Sequence, residues 1–366
     1  MELESSPKSH AQDKNVLATV LTVQGKIGNR IYWLDVIKGI AIILVVYGHT
    51  ARGLESAGRL TFNGVFGIID YAIYLIHMPV FFAVSGFIFQ KSLSSEISMY
   101  AFFKGKAQSI VWPYLLWTTV SVAAQTVMSG SGALNNPMTW DRLLSIGWDP
   151  VSPFWFLYAL FCCFSLSYFI RRAPIILLIT ISAAAMALAI KLSAPQIAID
   201  IAYGFLYFSI GRSFYLEPTH LKKKATLAVS FFVFTLFTYI GIKSDIDVRL
   251  NLIGTLAGIH CLYIISHALA KTRLLTPLLW IGRCTMGVYV MHIMVIVAFR
   301  ALGLKAMHVE PLLVLFISTP MGIILPIIFQ AIVNNMGIGV LMGMKTKLPS
   351  RWGTIGTSVI RSLRPE

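Results

Sequence analysis

The sequence predicts an all-α integral membrane protein, a polytopic bundle of about ten transmembrane helices with both termini cytoplasmic. Three observations predict it. Hydrophobic residues make up 57% of the 366 residues and charged ones only 12%, against about a quarter charged in soluble domains. Apolar runs of about 20 residues, the length that crosses a bilayer core, recur from one end of the chain to the other. The basic residues cluster in alternate gaps between those runs, as the positive-inside rule requires.

The first segment, 34–51, follows a basic approach and turns continuously apolar after Lys38. The second, 65–90, is long enough to tilt or to kink at Pro79. The third, 107–128, begins after Lys104 and Lys106, and 153–170 follows a gap rich in Gly, Ser, Asn, Pro and Trp that reads as an ordered outer loop. Arg171 and Arg172 separate the fourth segment from 174–192, after which 197–215 runs to a gap holding Lys222 to Lys224. The remaining segments are 225–242, 250–270, 276–299 and 310–333, with Lys271 and Arg273 between the eighth and ninth.

With the N-terminus inside, 20 of the 30 basic residues fall on the cytoplasmic side and 8 on the other, leaving Lys38 and Arg283 within helices. The expected organisation is a cytoplasmic segment 1–30, a membrane domain 31–335 and a basic cytoplasmic tail 336–366. The segment 1–30 does not read as a signal peptide. The net charge of +15 is explained by orientation in the bilayer, so nucleic acid is not an expected partner. The four cysteines lie in apolar stretches without ligand spacing, which predicts buried thiols and no metal site.

Ionisable groups within a bilayer cost at least a few kcal/mol each, so they mark candidate sites. The first segment is densest, with Asp35 and Lys38 near its inner end and His49 near its outer end. Eleven residues at 100° each bring Lys38 and His49 to within about 20° of one face, about 16 Å apart along the axis. A phosphate-bearing cofactor could set its anionic end at Lys38 and its reactive tip at His49. An i,i+3 ion pair with Asp35 and snorkelling explain Lys38 equally well. His49 is either a satisfied core imidazole or a general base that takes a hydroxyl proton.

In the second segment, His77 precedes the Met78–Pro79 break. Ser85 and Gly86 read as a small-residue patch for close helix packing, not as a nucleophile. Arg283 and His292 in the ninth segment repeat the order of inner cation and outer imidazole. His260, His267, Asp70 and Asp200 read as satisfied polar groups.

Five strings carry a resemblance: WLDVIKGIAIILVVYGH at 33–49, HMPVFFAVSGFIF at 77–89, the basic-to-Pro-Tyr stretch at 104–114, PFWFLYALF at 153–161 and IGRCTMGVYVMH at 281–292. In this order they resemble the acyltransferase family 3 of membrane O-acyltransferases, within it the fucose 4-O-acetylase-like branch. The resemblance implies a multi-pass protein of a bacterial inner membrane. It would transfer an acyl group, usually acetyl from cytoplasmic acetyl-CoA, to a hydroxyl of a surface or exported glycan such as an exopolysaccharide or lipid-linked saccharide. It implies His49 as catalytic and Lys38, Lys104 and Lys106 on the donor; Arg283 and His292, which repeat the order of cation and imidazole, join them as donor-binding and catalytic candidates. Asp35, His77, Ser85 and Trp155 are then supporting residues. Most of the family carries Arg where Lys38 stands, so a bidentate phosphate grip becomes a point-charge contact. The competing reading is a transporter or flippase, in which the same buried cations and imidazoles line a substrate pathway.

Overall fold

The computed structural model describes residues 31–93, 98–129, 138–215, 224–270, 272, 275–307 and 309–344. The segment 1–30, the tail from 345 onward and Lys222, Lys223, Lys271 and Arg273 lie outside the described residues.

Each predicted apolar segment is helical. In chain order the helices are α1 (Tyr32–Ser56), α2 (Gly64–Ser92), α3 (Met99–Lys106), α4 (Trp112–Met128), α5 (Arg142–Ser145), α6 (Trp155–Phe169) and α7 (Ile175–Lys191). They continue as α8 (Gln196–Phe214), α9 (Lys224–Lys243), α10 (Leu252–Leu269), α11 (Leu275–Arg283), α12 (Thr285–Ala301) and α13 (Pro311–Asn335). No strand occurs among the described residues. Six helices, α1, α2, α9, α10, α12 and α13, are long and apolar enough to cross a membrane, and α6 and α7 are shorter apolar helices.

Two expected segments are built differently. The third joins α3 to α4 through a π-helical turn, Ala107–Val111, so its helix starts near residue 99. The ninth is interrupted at Cys284, which leaves helical geometry at φ −95°, ψ 12°. The interruption ends α11 on Arg283, where a cation meets the negative end of the helix dipole. Pro79 does not interrupt α2, which runs through it.

α1 sits at the centre, packed against α2, α10, α11, α12 and α13, and its buried positions extend around most of its circumference. Without a hydrophobic drive between helices in lipid, small residues that let backbones approach are what hold such contacts. Gly39 of α1 faces the Leu278 carbonyl of α11, and Gly282 of α11 faces the Asp35 carbonyl of α1. Gly86 of α2 and Gly211 of α8 face the Phe208 and Ala83 carbonyls in the same reciprocal way. In the Ser85–Gly86 patch, Gly86 thus makes the backbone contact, and Ser85 is half-buried beside it.

The described part of the 129–152 gap is ordered by α5 and by hydrogen bonds from the Tyr158 hydroxyl to the Gly147 carbonyl, 2.8 Å, and from Arg142 to Asp149, 2.7 Å. Residues 336–344 fold back onto the bundle. The Trp112 and Trp117 indoles donate to the Leu341 and Met342 carbonyls at 2.6 and 3.0 Å, and the Gln330 amide donates to the Met344 carbonyl at 3.0 Å.

Candidate functional site

Two polar groups occupy α1, one towards each end. At the N-terminal end Asp35 is shared: Oδ1 lies 2.8 Å from the Lys38 ammonium and Oδ2 lies 3.7 Å from Nε of Arg283. The glycine contacts that bring α1 and α11 together make this sharing possible, because Gly282 lies directly against Asp35. The side chains of Asp35 and Arg283 are buried, at 5% and 8% exposure, and Lys38 retains 23%. The ion pair expected on bland grounds is present. It leaves Lys38 with N–H groups to spare, since an ammonium carries three.

Three turns along α1, His49 meets His292 of α12, with ring centroids 5.1 Å apart and ring planes at 51°. His292 is fully buried. Its Nδ1 lies 2.7 Å from the Tyr289 carbonyl and 3.1 Å from that of Val288. Carbonyl oxygens only accept, so Nδ1 carries the proton and Nε2 the lone pair. Nε2 is buried and has no hydrogen-bond partner. His49 is half-buried, and among the described residues no hydrogen bond reaches its ring.

A second polar array flanks His49. Arg52, one turn on, grips Asp70 of α2 with two hydrogen bonds of 2.9 and 2.8 Å. Its guanidinium stacks 3.2 Å over the Tyr74 ring. His77 packs edge-on to the same ring at 4.6 Å, and its Nδ1 donates to the Ile73 carbonyl at 2.7 Å. Gly48 gives Tyr74 its room, because a Cβ there would lie 3.2 Å from the ring.

The other predicted residues lie apart from the histidine pair. The Lys106 ammonium rests 3.4 Å over the Phe164 ring and that of Lys104 lies 5.5 Å from the Tyr100 ring. Trp155 packs on Phe82 at 6.4 Å. The neighbour Phe156 touches Tyr289 at 5.5 Å, and the Tyr289 hydroxyl donates to the Pro153 carbonyl, so the 153–161 string reaches the site through Tyr289. No group of metal-ligating side chains occurs among the described residues. The cysteines are free, and Cys163, Cys261 and Cys284 are buried.

Sequence reasoning missed Arg52 and Tyr74, whereas Asp70, read as a satisfied polar group, is one, held by Arg52. Arg52 lies one residue past the predicted segment 34–51, yet α1 continues to Ser56. The i,i+3 spacing from His49 to Arg52 was the available signal.

Comparison with known proteins bears on this arrangement. Residues 31–331 match the family described as an acyltransferase domain. The nodulation protein NolL of Mesorhizobium japonicum is 28% identical over 190 residues, covering 50% of this chain and 47% of that protein. NolL of Sinorhizobium fredii is 29% identical over 190 residues, with 50% and 48% covered. The chain thus spans about half the length of these curated relatives. No solved structure matches.

Proposed function

The chain belongs to this acyltransferase family, and from that premise we propose that it moves an acetyl group from cytoplasmic acetyl-CoA to a hydroxyl of a surface or exported glycan. It is a multi-pass membrane acyltransferase; the acetyl donor, the glycan acceptor and the fucose-acetylase-like branch are the proposal. One observation carries it. The central helix α1 bears Lys38, which shares Asp35 with Arg283 of α11, and eleven residues further His49, which lies beside His292 of α12.

In this reading the donor's phosphates meet Lys38 and Arg283, with Lys104 and Lys106 near their approach. The thioester lies towards His49. The hydroxyl oxygen attacks the thioester carbonyl as His49 takes its proton, the C–S bond breaks, and the proton passes to the departing sulfur. Ten crossings with both ends cytoplasmic, supported by the 20 to 8 division of basic residues, put the cations on the donor side and the imidazoles towards the acceptor. A bacterial inner membrane is the setting this topology suits.

The test is a purified preparation given acetyl-CoA and a glycan extract. Acyl transfer releases free CoA thiol in proportion to the ester formed. Movement of glycan across proteoliposomes with no thiol release would establish the transporter reading in its place.

A further inference from the structure

We propose that His292 is a positioning residue: its Nε2 lone pair accepts a hydrogen bond from the His49 ring and fixes which His49 nitrogen is left to receive the acceptor's proton. The inference rests on the reading of His49 as the base and assigns the second imidazole a different task.

The assignment follows from what His292 can do. Two carbonyls of its own helix hold Nδ1 as a donor, at 2.7 and 3.1 Å, so Nε2 is committed to the lone pair. Full burial closes that nitrogen to a bulky acceptor. A buried acceptor with no partner loses about 1 to 3 kcal/mol, so a donor within reach gains from meeting it. Three donors around the pair are engaged elsewhere. The Tyr289 hydroxyl is engaged with the Pro153 carbonyl, the Arg52 guanidinium is held by Asp70 over Tyr74, and His77 spends its Nδ1–H on Ile73.

His49 remains. Its ring is free of other hydrogen bonds and its centroid is 5.1 Å from that of His292, a separation at which side-chain rotation brings facing ring nitrogens within hydrogen-bond reach. An N–H of His49 given to Nε2 leaves the other His49 nitrogen with its lone pair. When that nitrogen takes the hydroxyl proton, His49 becomes an imidazolium and the bond to His292 strengthens. The arrangement is a neutral counterpart of the orienting third member of a hydrolytic triad.

The experiment uses the full chain in lipid nanodiscs, with nitrogen-15-labelled histidine and His49→Gln and His292→Gln spectra to assign both rings. Wild type should show His292 protonated on Nδ1 and His49 as one tautomer. His292→Leu should leave His49 a mixture, whereas His292→Gln, whose side-chain carbonyl reaches the place of Nε2, should restore one. Acetyl-CoA-dependent thiol release should stay within about tenfold of wild type in His292→Gln and fall about 100-fold or more in His292→Leu. Unchanged His49 tautomers in His292→Leu, or a proton on Nε2 of His292 in wild type, would overturn the proposal, as would equal loss of turnover in the Gln and Leu variants. If wild type released no thiol while the tautomers behaved as expected, the acyl-transfer reading would fall, and with it the catalytic part of the role, while the His49–His292 hydrogen bond would stand.

Discussion

Replacing Gly39 by Ala tests whether close approach of α1 and α11 builds the cation pair. A Cβ at Gly39 would lie 2.5 Å from the Leu278 carbonyl oxygen and 3.3 Å from the Gly282 nitrogen. Real Cβ atoms essentially never come within 3.0 Å of a neighbour, and ordinary contact begins at 3.4 Å. Because the obstacle is backbone, α11 must retreat by about 0.5 to 0.9 Å to reach that spacing, at an overpacking cost of about 1 to 3 kcal/mol. The Asp35–Arg283 separation is already 3.7 Å, so the same retreat carries it past the ~4 Å limit of an ion pair. Lys38 keeps its bond to Asp35 within α1, so one cation of two is displaced. Binding of acetyl-CoA, measured calorimetrically in detergent, should weaken about 3- to 10-fold, or about 0.7 to 1.4 kcal/mol, and thermal unfolding should begin lower. A dissociation constant within twofold of wild type with an unchanged melting curve would refute the link between helix approach and donor grip.

Lys38→Ala and Arg283→Ala should each weaken acetyl-CoA binding by about 1.5 to 3 kcal/mol, the worth of a charge-assisted contact, whereas Lys38→Arg should bind much as wild type does. Equal binding by all three in the same titration would make these cations anchors only. His49→Ala should lower turnover about 10² to 10⁴-fold with little change in donor affinity, and His49→Gln should be nearly as slow, because it keeps hydrogen bonding and loses basicity. Near-wild-type thiol release by His49→Gln would return His49 to a structural role. Single cysteines placed in the 138–152 segment of a cysteine-free variant should react with an impermeant maleimide from outside the cell. Labelling from the cytoplasmic side alone would reverse the orientation and the side on which the donor enters.

The helices were legible because each is a run of apolar residues bounded by charges or turn formers, and lipid demands such runs whatever they pack against. The interruption at Cys284 was not, since α11 and α12 are both apolar and no proline or glycine pair marks the junction. Partnerships between helices were equally hidden. Nothing in the sequence pairs Gly39 with Leu278 or Gly282 with Asp35, although glycines beside a charged cluster are a recognisable sign of backbone approach. The parallel order of Lys38–His49 and Arg283–His292 did indicate that two segments present similar groups, and the structure sets the two imidazoles beside each other, tilted by 51°. Arg52 stayed hidden for a different reason: a charge after an apolar run resembles a boundary, but its carboxylate partner Asp70 on the neighbouring helix lets α1 continue through it.

The bland and the functional accounts of Lys38 and His49 are not symmetric alternatives once the contacts are known. For Lys38 they coexist, because the ion pair with Asp35 takes up one of three N–H groups and holds the ammonium at a defined place, which favours recognition of a phosphate. For His49 they diverge. A structural imidazole in a low-dielectric bundle would hold a partner, as His77 does with Ile73 and His267 with Tyr263 at 2.9 Å, since an unsatisfied polar group there costs several kcal/mol. His49 has no such partner, and the ring it faces presents a lone pair without one either. An imidazole without a hydrogen bond beside a second ring whose Nε2 has none, at the packed contact of α1 and α12, is costly to the fold alone. That cost is reduced when the rings bond to each other and to a reacting hydroxyl, which is why the histidine pair, more than the cations, argues for chemistry at this depth of the bundle.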